Sequence, residues 1–301
     1  MSARGIHRIV MAFAAMLFAF SCRGAGGLAE TDDSPVKSIT IGAEDMRYIH
    51  FGNRNGEKIV ILPGLSLKRV TGSADAIIAA YGVLAENYEI WLFDHIQEEP
   101  EGYTIADMAE DTLAAFDRLG LEQVHLMGVS MGGMTAQTIA VKAPERVLSL
   151  ILCSTAMNTM HSEPDVFDRW KELAEAKDMP ALMEAFGESV YTPAFYEQYK
   201  DVIIASGDGA TELDYRSFLI SPAAVRAFDD QEAISGISCP ALVLGAGSDR
   251  VLGVQAAYDL AGALNCPYYI YEGYGHGVYD EAPDYLFRIN DFLRDCANDP
   301  D

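Results

Sequence analysis

The stretch that decides the fold is residues 124–142, VHLMGVSMGGMTAQTIAVK. Val124–Met127 is a short apolar run typical of a buried strand, and Met134–Lys142 has a helical pattern. Between them, residues 128–133 read GVSMGG and contain a G-x-S-x-G element. A strand, this element and a helix in succession predict a strained turn that exposes the Ser130 hydroxyl at the carboxyl end of a strand. The beginning of the helix favours negative charge that develops there.

Short apolar runs separated by helical stretches continue on both sides of this element. Continuous apolar strands bounded by helices predict an α/β fold, in which helices cover both faces of a mostly parallel sheet. Near the start, two alternating runs around residues 42–45 predict a hairpin. Thr104–Leu119 predicts an amphipathic helix that Gly120 ends. The runs predicted as strands are Val36–Ile41, Met46–Phe51, Lys58–Leu62, Glu89–Phe93, Val124–Met127, Val147–Leu152, Ala241–Leu244 and Tyr268–Tyr271.

Residues 155–236 interrupt the alternation. They contain helical patterns, several prolines and aromatic residues, and no convincing strand. Such a segment inside an α/β chain predicts a helical cap inserted into one domain, whose core comprises residues 36–154 and 237–298.

A serine hydroxyl is a weak nucleophile until a base accepts its proton. His276 follows the last predicted strand, in YGHG at 274–277, and Asp249 follows the strand before it. An imidazole base needs a carboxylate that fixes its tautomer, and the order Ser, Asp, His is the one that accompanies such a turn. All three residues follow strands, at the edge where open α/β sheets hold their sites. We therefore predict Ser130 as nucleophile, His276 as base and Asp249 as the group that orients the base.

The stretch from Lys58 to Leu293 resembles the α/β-hydrolase superfamily, in its capped group of small esterase, lactonase and peroxidase-like members. The resemblance implies the same triad, and an oxyanion hole formed by the backbone N–H groups of Leu65 and Met131. The matching pieces are LPGLS at 62–66, YTIADMAEDTLAAFDRLGLEQVHLMGVSMGGMTAQ at 103–137, PERVLSLIL at 144–152, CPALVLGAGSDRVLG at 239–253 and YGHGVYDEAPDYL at 274–286.

Serine chemistry on this fold implies hydrolysis of a small ester, lactone or thioester through an acyl-enzyme, within the class of carboxylic-ester hydrolases. The alternatives are a small-molecule receptor with little or no turnover and a cofactor-free peroxidase-like side activity. Candidate residues of the substrate pocket are Ser66, Trp170 and Val278. Further aromatic residues of the predicted cap that are candidates for lining an apolar pocket are Phe167, Phe186, Tyr191 and Phe195.

Two departures from the family pattern fall at the rim of the expected pocket. Pro63-Gly64 stands where many relatives have His-Gly, and residues 94–97 read DHIQ where many relatives have an Asp-x-x-Gly turn. An acidic run, residues 98–101, follows and is predicted to be a solvated loop. These departures bear on substrate specificity.

Composition and motifs exclude several partners and cofactors. The 301 residues include 45 acidic and 21 basic side chains, for a formal net charge of −24, and such a field repels nucleic-acid phosphates. Gly245 and Gly247 follow a strand, but Arg250 stands where a dinucleotide-binding loop has its third glycine. The five cysteines form no C-x-x-C pair and no zinc-site spacing. We therefore predict no metal and no organic cofactor.

The N-terminus has the pattern of an export signal. Two arginines precede Ile9–Phe20, an uncharged apolar run that is too short to span a bilayer, which needs about 20 residues. Residues 1–21 are predicted to be a signal peptide and residues 22–35 a flexible tether. Cys22 ends a segment that resembles a bacterial lipobox. The expectation is therefore a lipoprotein of the bacterial cell envelope that meets the membrane only through its lipid, or alternatively a soluble secreted or periplasmic protein.

Cys239 and Cys266 each stand two residues before a predicted strand, and these two strands are neighbours in the expected fold. Neighbouring strands lie about 4.8 Å apart, within reach of a disulfide. A disulfide between them is one hypothesis for an exported protein. Burial of each as a small apolar residue is the other.

Overall fold

The computed structural model describes residues 34–298. The predicted signal peptide, Cys22 and most of the predicted tether lie outside this range. Within it, no helix combines the length and the apolar character needed to cross a membrane.

One eight-stranded sheet forms the centre of the molecule, with the strand order β1-β2-β4-β3-β5-β6-β7-β8. The predicted hairpin pairs β1 with β2, β2 runs antiparallel to β4, and all the remaining pairs are parallel. This confirms the predicted mostly parallel α/β sheet. The strands are β1 (Val36–Ile41), β2 (Glu44–Gly52), β3 (Lys58–Leu62), β4 (Glu89–Ile96), β5 (Val124–Val129), β6 (Val147–Cys153), β7 (Ala241–Ala246) and β8 (Tyr268–Tyr271).

Eleven helices are described, together with 3-10 turns at Val70–Ser73, Pro144–Arg146 and Ile234–Gly236. The helices are α1 (Ala74–Ala80), α2 (Gly82–Ala85), α3 (Ile105–Leu119), α4 (Met131–Lys142), α5 (Pro164–Glu175), α6 (Met179–Val190), α7 (Pro193–Ala205), α8 (Glu212–Ala227), α9 (Val254–Leu264), α10 (Val278–Glu281) and α11 (Tyr285–Asn298).

Both faces of the sheet are buried, which explains why its central strands are continuously apolar. In β3, Val60 and Leu62 belong to one core, whereas Ile59 and Ile61 belong to the core on the opposite face. Successive side chains of a strand point to opposite faces, so a central strand such as β3 needs apolar residues at almost every position. The sheet is thereby fixed as a rigid platform for the loops at its carboxyl edge.

Local hydrogen bonds and backbone conformations fix the ends of α3 and the start of α4. Thr104 caps α3 in a reciprocal capping box with Asp107, and Gly120 ends that helix with a φ of 68°. α4 begins at Met131, three residues earlier than the pattern predicts, because the helix starts directly after the Ser130 turn.

Four helices, α5 to α8, lie between β6 and β7 in the segment predicted as a cap. Thr192 and Thr211 cap α7 and α8 with their side-chain oxygens. An isolated antiparallel bridge joins Asn158 to Asp229, so the chain leaves the sheet and returns to it at neighbouring points. These four helices are called the insertion below.

The hypothesis of a disulfide is wrong for this fold. Cys239 and Cys266 are both free thiols. The reason is the strand register: Val243 pairs with Tyr268, so residues 25 positions apart face each other, whereas the two cysteines are 27 apart. Two residues of offset shift Cys239 by roughly 6–7 Å along the strand, in addition to the spacing of about 4.8 Å between strands. That separation exceeds the usual disulfide geometry.

The acidic run at 98–101 is not simply a solvated loop. Glu99 is 2% exposed and accepts a hydrogen bond from Arg69 at 3.0 Å. The same guanidinium donates to the backbone oxygens of Ile96 and Gln97, at 2.8 and 3.1 Å. Arg69 therefore holds the end of β4 against the loop that follows β3.

Candidate active site

The turn between β5 and α4 has the strained geometry expected from its sequence. Ser130 adopts φ 51° and ψ −119°, a backbone conformation that non-glycine residues rarely occupy. Two bonds hold it: the Ser130 N–H donates to the Cys153 oxygen at 2.9 Å, and the Thr155 hydroxyl donates to the Ser130 oxygen at 2.7 Å.

The glycines of this turn are required by close backbone approach. A Cβ on Gly128 would lie 2.4 Å from the Gly132 oxygen, and a Cβ on Gly132 would lie 2.1 Å from the Leu62 oxygen. Neither position has room for a side chain, so the G-x-S-x-G spacing is a packing requirement of β3, β5 and α4.

The three residues predicted as a catalytic triad lie together at the carboxyl edge of the sheet. His276 Nε2 is 2.9 Å from Ser130 Oγ, and His276 Nδ1 is 2.8 Å from Asp249 Oδ2. A carboxylate can only accept, so Nδ1–H donates to Asp249 and Nε2 is left to accept the serine proton. His276 and Asp249 are both buried, with side chains 5% and 4% exposed, which keeps this pair out of bulk water.

Asp249 is held in its ionised form. Its second oxygen accepts the backbone N–H groups of Val251 and Leu252, at 2.8 and 2.9 Å. Burial by itself raises the pKa of Asp249, but the interaction with His276 and these hydrogen bonds outweigh it and hold the pKa below its usual value. A fixed negative charge beside Nδ1 suits an imidazole that must carry a proton.

Two backbone donors lie beside the serine without a partner. Within residues 34–298, no acceptor takes the N–H of Leu65 or that of Met131. Leu65 follows β3, and Met131 is the first residue of α4, where helical N–H groups have no intrahelical acceptor. These are the two groups predicted as an oxyanion hole, and both are available to a ligand oxygen.

The cleft that contains Ser130 and His276 is small, about 20 Å³. Of the residues predicted to line a pocket, Trp170, Phe167 and Phe186 line this cleft. Ser66 instead lines neighbouring cavities, and its hydroxyl donates to the Lys68 oxygen at 2.8 Å. The other residues that line the cleft are Gly64, Leu65, Val190, Val225, Val251, Leu252 and Tyr279.

The prediction for Val278 is wrong. Val278 is 0% exposed and packs in the core between the sheet and α11. As the first residue of α10, it points into that core. Phe195 also lines none of the described cavities; it stacks on Tyr191 at 4.8 Å between ring centroids.

Two larger and mostly apolar cavities adjoin the cleft and share Leu65 and Tyr279 with it. They measure about 160 and about 220 Å³. Asp280 lines both of them, and neither Tyr279 nor Asp280 was singled out from the sequence. The only sequence signal is their position, three and four residues after His276.

A further cavity of about 220 Å³, lined by many polar and charged residues, shares Gly64 with the cleft. Asp94, one of the departures from the family pattern, accepts hydrogen bonds there from the backbone N–H of Val70 and the hydroxyl of Thr71. His95 also lines this cavity, and burial lowers its pKa to about 4, so it is neutral near pH 7.

Two further histidines, His125 and His161, make contacts away from Ser130. His125 Nδ1 is 2.8 Å from Ser149 Oγ, as expected for a satisfied core histidine. His161 Nε2 pairs with Asp259 at 2.8 Å. In the described range, no group of three or more His, Cys, Asp or Glu side chains is arranged to hold a metal ion.

Comparison with known proteins agrees with this architecture. A sequence model described as "alpha/beta hydrolase fold" matches residues 84–283, about two thirds of the chain. The protein named "Putative carbamate hydrolase RutD" of Variovorax paradoxus is 27% identical over 263 residues, which cover 82% of this chain and 96% of that protein. The "3-oxoadipate enol-lactonase 1" of Acinetobacter baylyi is 24% identical over 218 residues, covering 68% of this chain and 78% of that protein.

Solved structures give the same result for the fold. The enol-lactonase from Burkholderia xenovorans superposes with a TM-score of 0.74 at 22% identity, covering 86% of this chain and 100% of that one. The extent of the family match and the topology of the sheet establish that this chain belongs to the α/β-hydrolase fold family.

Proposed function

We propose that this hydrolase cleaves a small carboxylic ester, lactone or thioester through a serine acyl-enzyme. The observation that carries the proposal is the continuous line of hydrogen bonds from Ser130 through His276 to Asp249, at 2.9 and 2.8 Å. The N–H groups of Leu65 and Met131, which have no acceptor among the described residues, support it, because a developing oxyanion needs such donors.

In the first half of the reaction, Ser130 Oγ attacks the carbonyl carbon while its proton passes to His276 Nε2. The N–H groups of Leu65 and Met131 hold the oxyanion that forms. His276 then gives the proton to the leaving alcohol or thiol, the bond to that group breaks, and the acyl group stays on Ser130.

In the second half, a water molecule attacks the acyl carbon and gives a proton to His276. Collapse of the second oxyanion releases the acid, and His276 returns the proton to Ser130. Asp249 keeps Nδ1 protonated in both halves, so that Nε2 alone moves the proton.

The cavities support a small substrate. The cleft at Ser130 adjoins space of only a few hundred cubic ångströms, which suits a short acyl or alcohol chain. The names of the relatives, a carbamate hydrolase and an enol-lactonase, support hydrolysis at a carbonyl carbon of a small molecule.

The test is turnover of p-nitrophenyl esters from acetate to octanoate by the parent protein and by Ser130→Ala. Ser154→Ala is the matched control, because Ser154 is a buried serine at the end of the neighbouring strand β6. We expect turnover by the parent and the control, and none above background by Ser130→Ala. If the parent protein turned over no ester or lactone but bound a small molecule, the proposal of a hydrolase would give way to that of a small-molecule receptor.

We also propose that the chain is exported and carries a lipid on Cys22. The proposal rests on the residues 1–22 alone. Mass spectrometry of protein taken from the membrane fraction of an expressing bacterium, with Cys22→Ser beside it, tests the idea. A diacylglycerol adduct on Cys22 is expected, and an unmodified Cys22 in intact protein would overturn it.

A further inference from the structure

Asp280 is a partly buried acid that lines mostly apolar cavities beside the candidate site. It lies on α10, four residues after His276, and faces both larger cavities. Leu65 and Tyr279 line these cavities as well as the cleft at Ser130, so the cavities directly adjoin that cleft. A substrate bound at Ser130 can therefore extend part of its structure towards Asp280.

Only one of the two carboxyl oxygens of Asp280 is used by the protein. Oδ2 accepts a hydrogen bond from the Tyr191 hydroxyl at 2.7 Å. No donor in the described range reaches Oδ1, and no basic residue in that range forms an ion pair with Asp280. Burial raises the pKa of this carboxyl to about 7, and the nearby charge of Glu281 acts in the same direction.

Glu281, the residue after Asp280, is an acid whose carboxyl has a structural role. Glu281 accepts from the hydroxyl and the backbone N–H of Thr192, at 2.6 and 3.1 Å, and from the N–H of Gly275 at 3.3 Å. Both of its oxygens are used in joining α10 to the insertion. Asp280 faces a cavity with an oxygen to spare, which a structural role does not explain.

The basic residues near these cavities are engaged elsewhere. Lys68 and Arg69 line the larger cavity, but the Lys68 ammonium donates to the Asp208 oxygen. Arg69 pairs with Glu99 at 3.0 Å. No lysine or arginine lines the smaller cavity. The positive charge that an ionised Asp280 requires is therefore not supplied by these parts of the protein.

We propose that Asp280 is a specificity residue that binds an ammonium group on the substrate through its unused oxygen. The inference rests on the proposed function for the identity of the reaction. Aromatic rings, among them Tyr81, Tyr279 and Phe186, line the same cavities and offer faces for cation–π contacts. The net charge of −24 attracts cationic substrates as they approach. The substrate class is an ester or lactone whose acyl chain carries a primary amine.

The first test compares two esters that differ only at the chain end, p-nitrophenyl 6-aminohexanoate and p-nitrophenyl heptanoate. An ammonium replaces a methyl, so the ratio of kcat/KM values reports recognition of the charge. We expect the parent to prefer the amino ester by about tenfold or more, the effect of a hydrogen bond to a charged group. Asp280→Asn should remove this preference, since the amide keeps the shape and can still accept from Tyr191.

Tyr191→Phe is the matched control. It removes the hydrogen bond to Oδ2 and leaves the carboxyl in place, so we expect the preference for the amino ester to remain. Preference for heptanoate in the parent, or an unchanged ratio in Asp280→Asn, would overturn the inference.

A binding measurement separates this inference from the proposed function. Calorimetry with hexylammonium and hexan-1-ol on the Ser130→Ala protein needs no turnover. We expect hexylammonium to bind more tightly than the alcohol, and Asp280→Asn in the same background to abolish the difference. If hexylammonium bound in this selective way but the parent turned over no ester, the proposed reaction would be overturned and the role of Asp280 would stand. Ester turnover without any selectivity for the ammonium would overturn the role of Asp280 alone.

Discussion

Glu281 accepts two hydrogen bonds from Thr192, one from its hydroxyl at 2.6 Å and one from its backbone N–H at 3.1 Å. Thr192 is the N-cap of α7, and Glu281 ends α10, five residues after His276. The backbone N–H of Gly277 also donates to the Val190 oxygen, at 2.8 Å. The loop that carries the candidate base is therefore bound directly to the insertion.

This contact predicts a measurable coupling. Glu281→Ala should lower the free energy of unfolding by about 2 kcal/mol and Thr192→Val by about 1 kcal/mol, the usual effects of losing such hydrogen bonds. The double variant should lose less than the sum, because both changes remove one interaction. Urea denaturation measures all three. If the losses of unfolding free energy in the two single variants added up exactly in the double variant, the contact would be contradicted. Glu232→Ala, a change at an exposed position, is the control.

The ion pair between the partly exposed Arg69 and the buried Glu99 predicts a large loss of stability when Glu99 is removed. Glu99→Ala should destabilise the protein by about 3 kcal/mol, because it leaves the guanidinium beside β4 without its counter-charge. The exposed pair of Lys177 and Glu212 is the comparison, and Glu212→Ala should cost less than about 1 kcal/mol. If Glu99→Ala and Glu212→Ala lost equal unfolding free energy in chemical denaturation, the buried role of Glu99 would be contradicted.

Substitution of glycine by alanine is predicted to have opposite effects at Gly132, in the serine turn, and at Gly262, in α9. Gly132→Ala places a methyl 2.1 Å from the Leu62 oxygen and should destabilise the fold by about 3 kcal/mol or more. In α9, a Cβ on Gly262 meets nothing within 4 Å, so Gly262→Ala should stabilise the protein by about 0.5–1 kcal/mol. Thermal unfolding of both variants checks the pair, and a stable Gly132→Ala would refute the close approach.

The bond between Asp249 and His276 predicts a loss of activity without loss of fold. Asp249→Asn can still accept the N–H groups of Val251 and Leu252, but its amide favours the wrong tautomer of the imidazole. We expect kcat on the best ester to fall by roughly 10³–10⁴. Asp259→Asn, which alters a second His–Asp pair away from Ser130, should leave kcat near that of the parent. Comparable losses in both variants would argue against a specific role for Asp249.

The raised pKa of Asp280, about 7, predicts how stability changes with pH. An aspartate in the unfolded chain ionises near about 3.9. Between these values the folded protein keeps a proton that the unfolded chain has released, so this group lowers the free energy of unfolding as pH rises.

Asp280→Asn removes this dependence. Relative to the parent, the variant should gain stability on the order of 1–3 kcal/mol as the pH rises from about 4 to about 7. Urea denaturation at each pH measures the difference, with Asp201→Asn as the control for losing one exposed acid. A difference that stays constant with pH would mean that Asp280 ionises normally.

Most of the fold is predictable from the sequence because local patterns carry it. All eight strands lie where the sequence predicts them. The central strands are buried on both faces and are therefore continuously apolar, whereas β1 and β2 are recognised by the alternation of a hairpin. The three triad candidates are predictable because each follows a strand. The position of each along the chain therefore fixes the edge of the sheet at which it lies.

The errors and omissions all depend on contacts between distant parts of the chain. The burial of Glu99 requires Arg69, which lies 30 residues earlier. The separation of Cys239 from Cys266 follows from the register of β7 and β8, which no local pattern reveals. Asp280 gains its setting from the cavities formed jointly by the β3 loop, α1, α6 and α10, so its four-residue distance from His276 alone did not reveal its burial.

The most direct test of the central claim is covalent labelling of the nucleophile. The parent protein is treated with a fluorophosphonate, digested and mapped by mass spectrometry, while ester turnover is followed in parallel. We expect one adduct, on Ser130, whose extent matches the loss of activity, and no adduct in Ser130→Ala. Full turnover after complete labelling of Ser130, or an adduct on a different residue that abolishes turnover, would contradict the account.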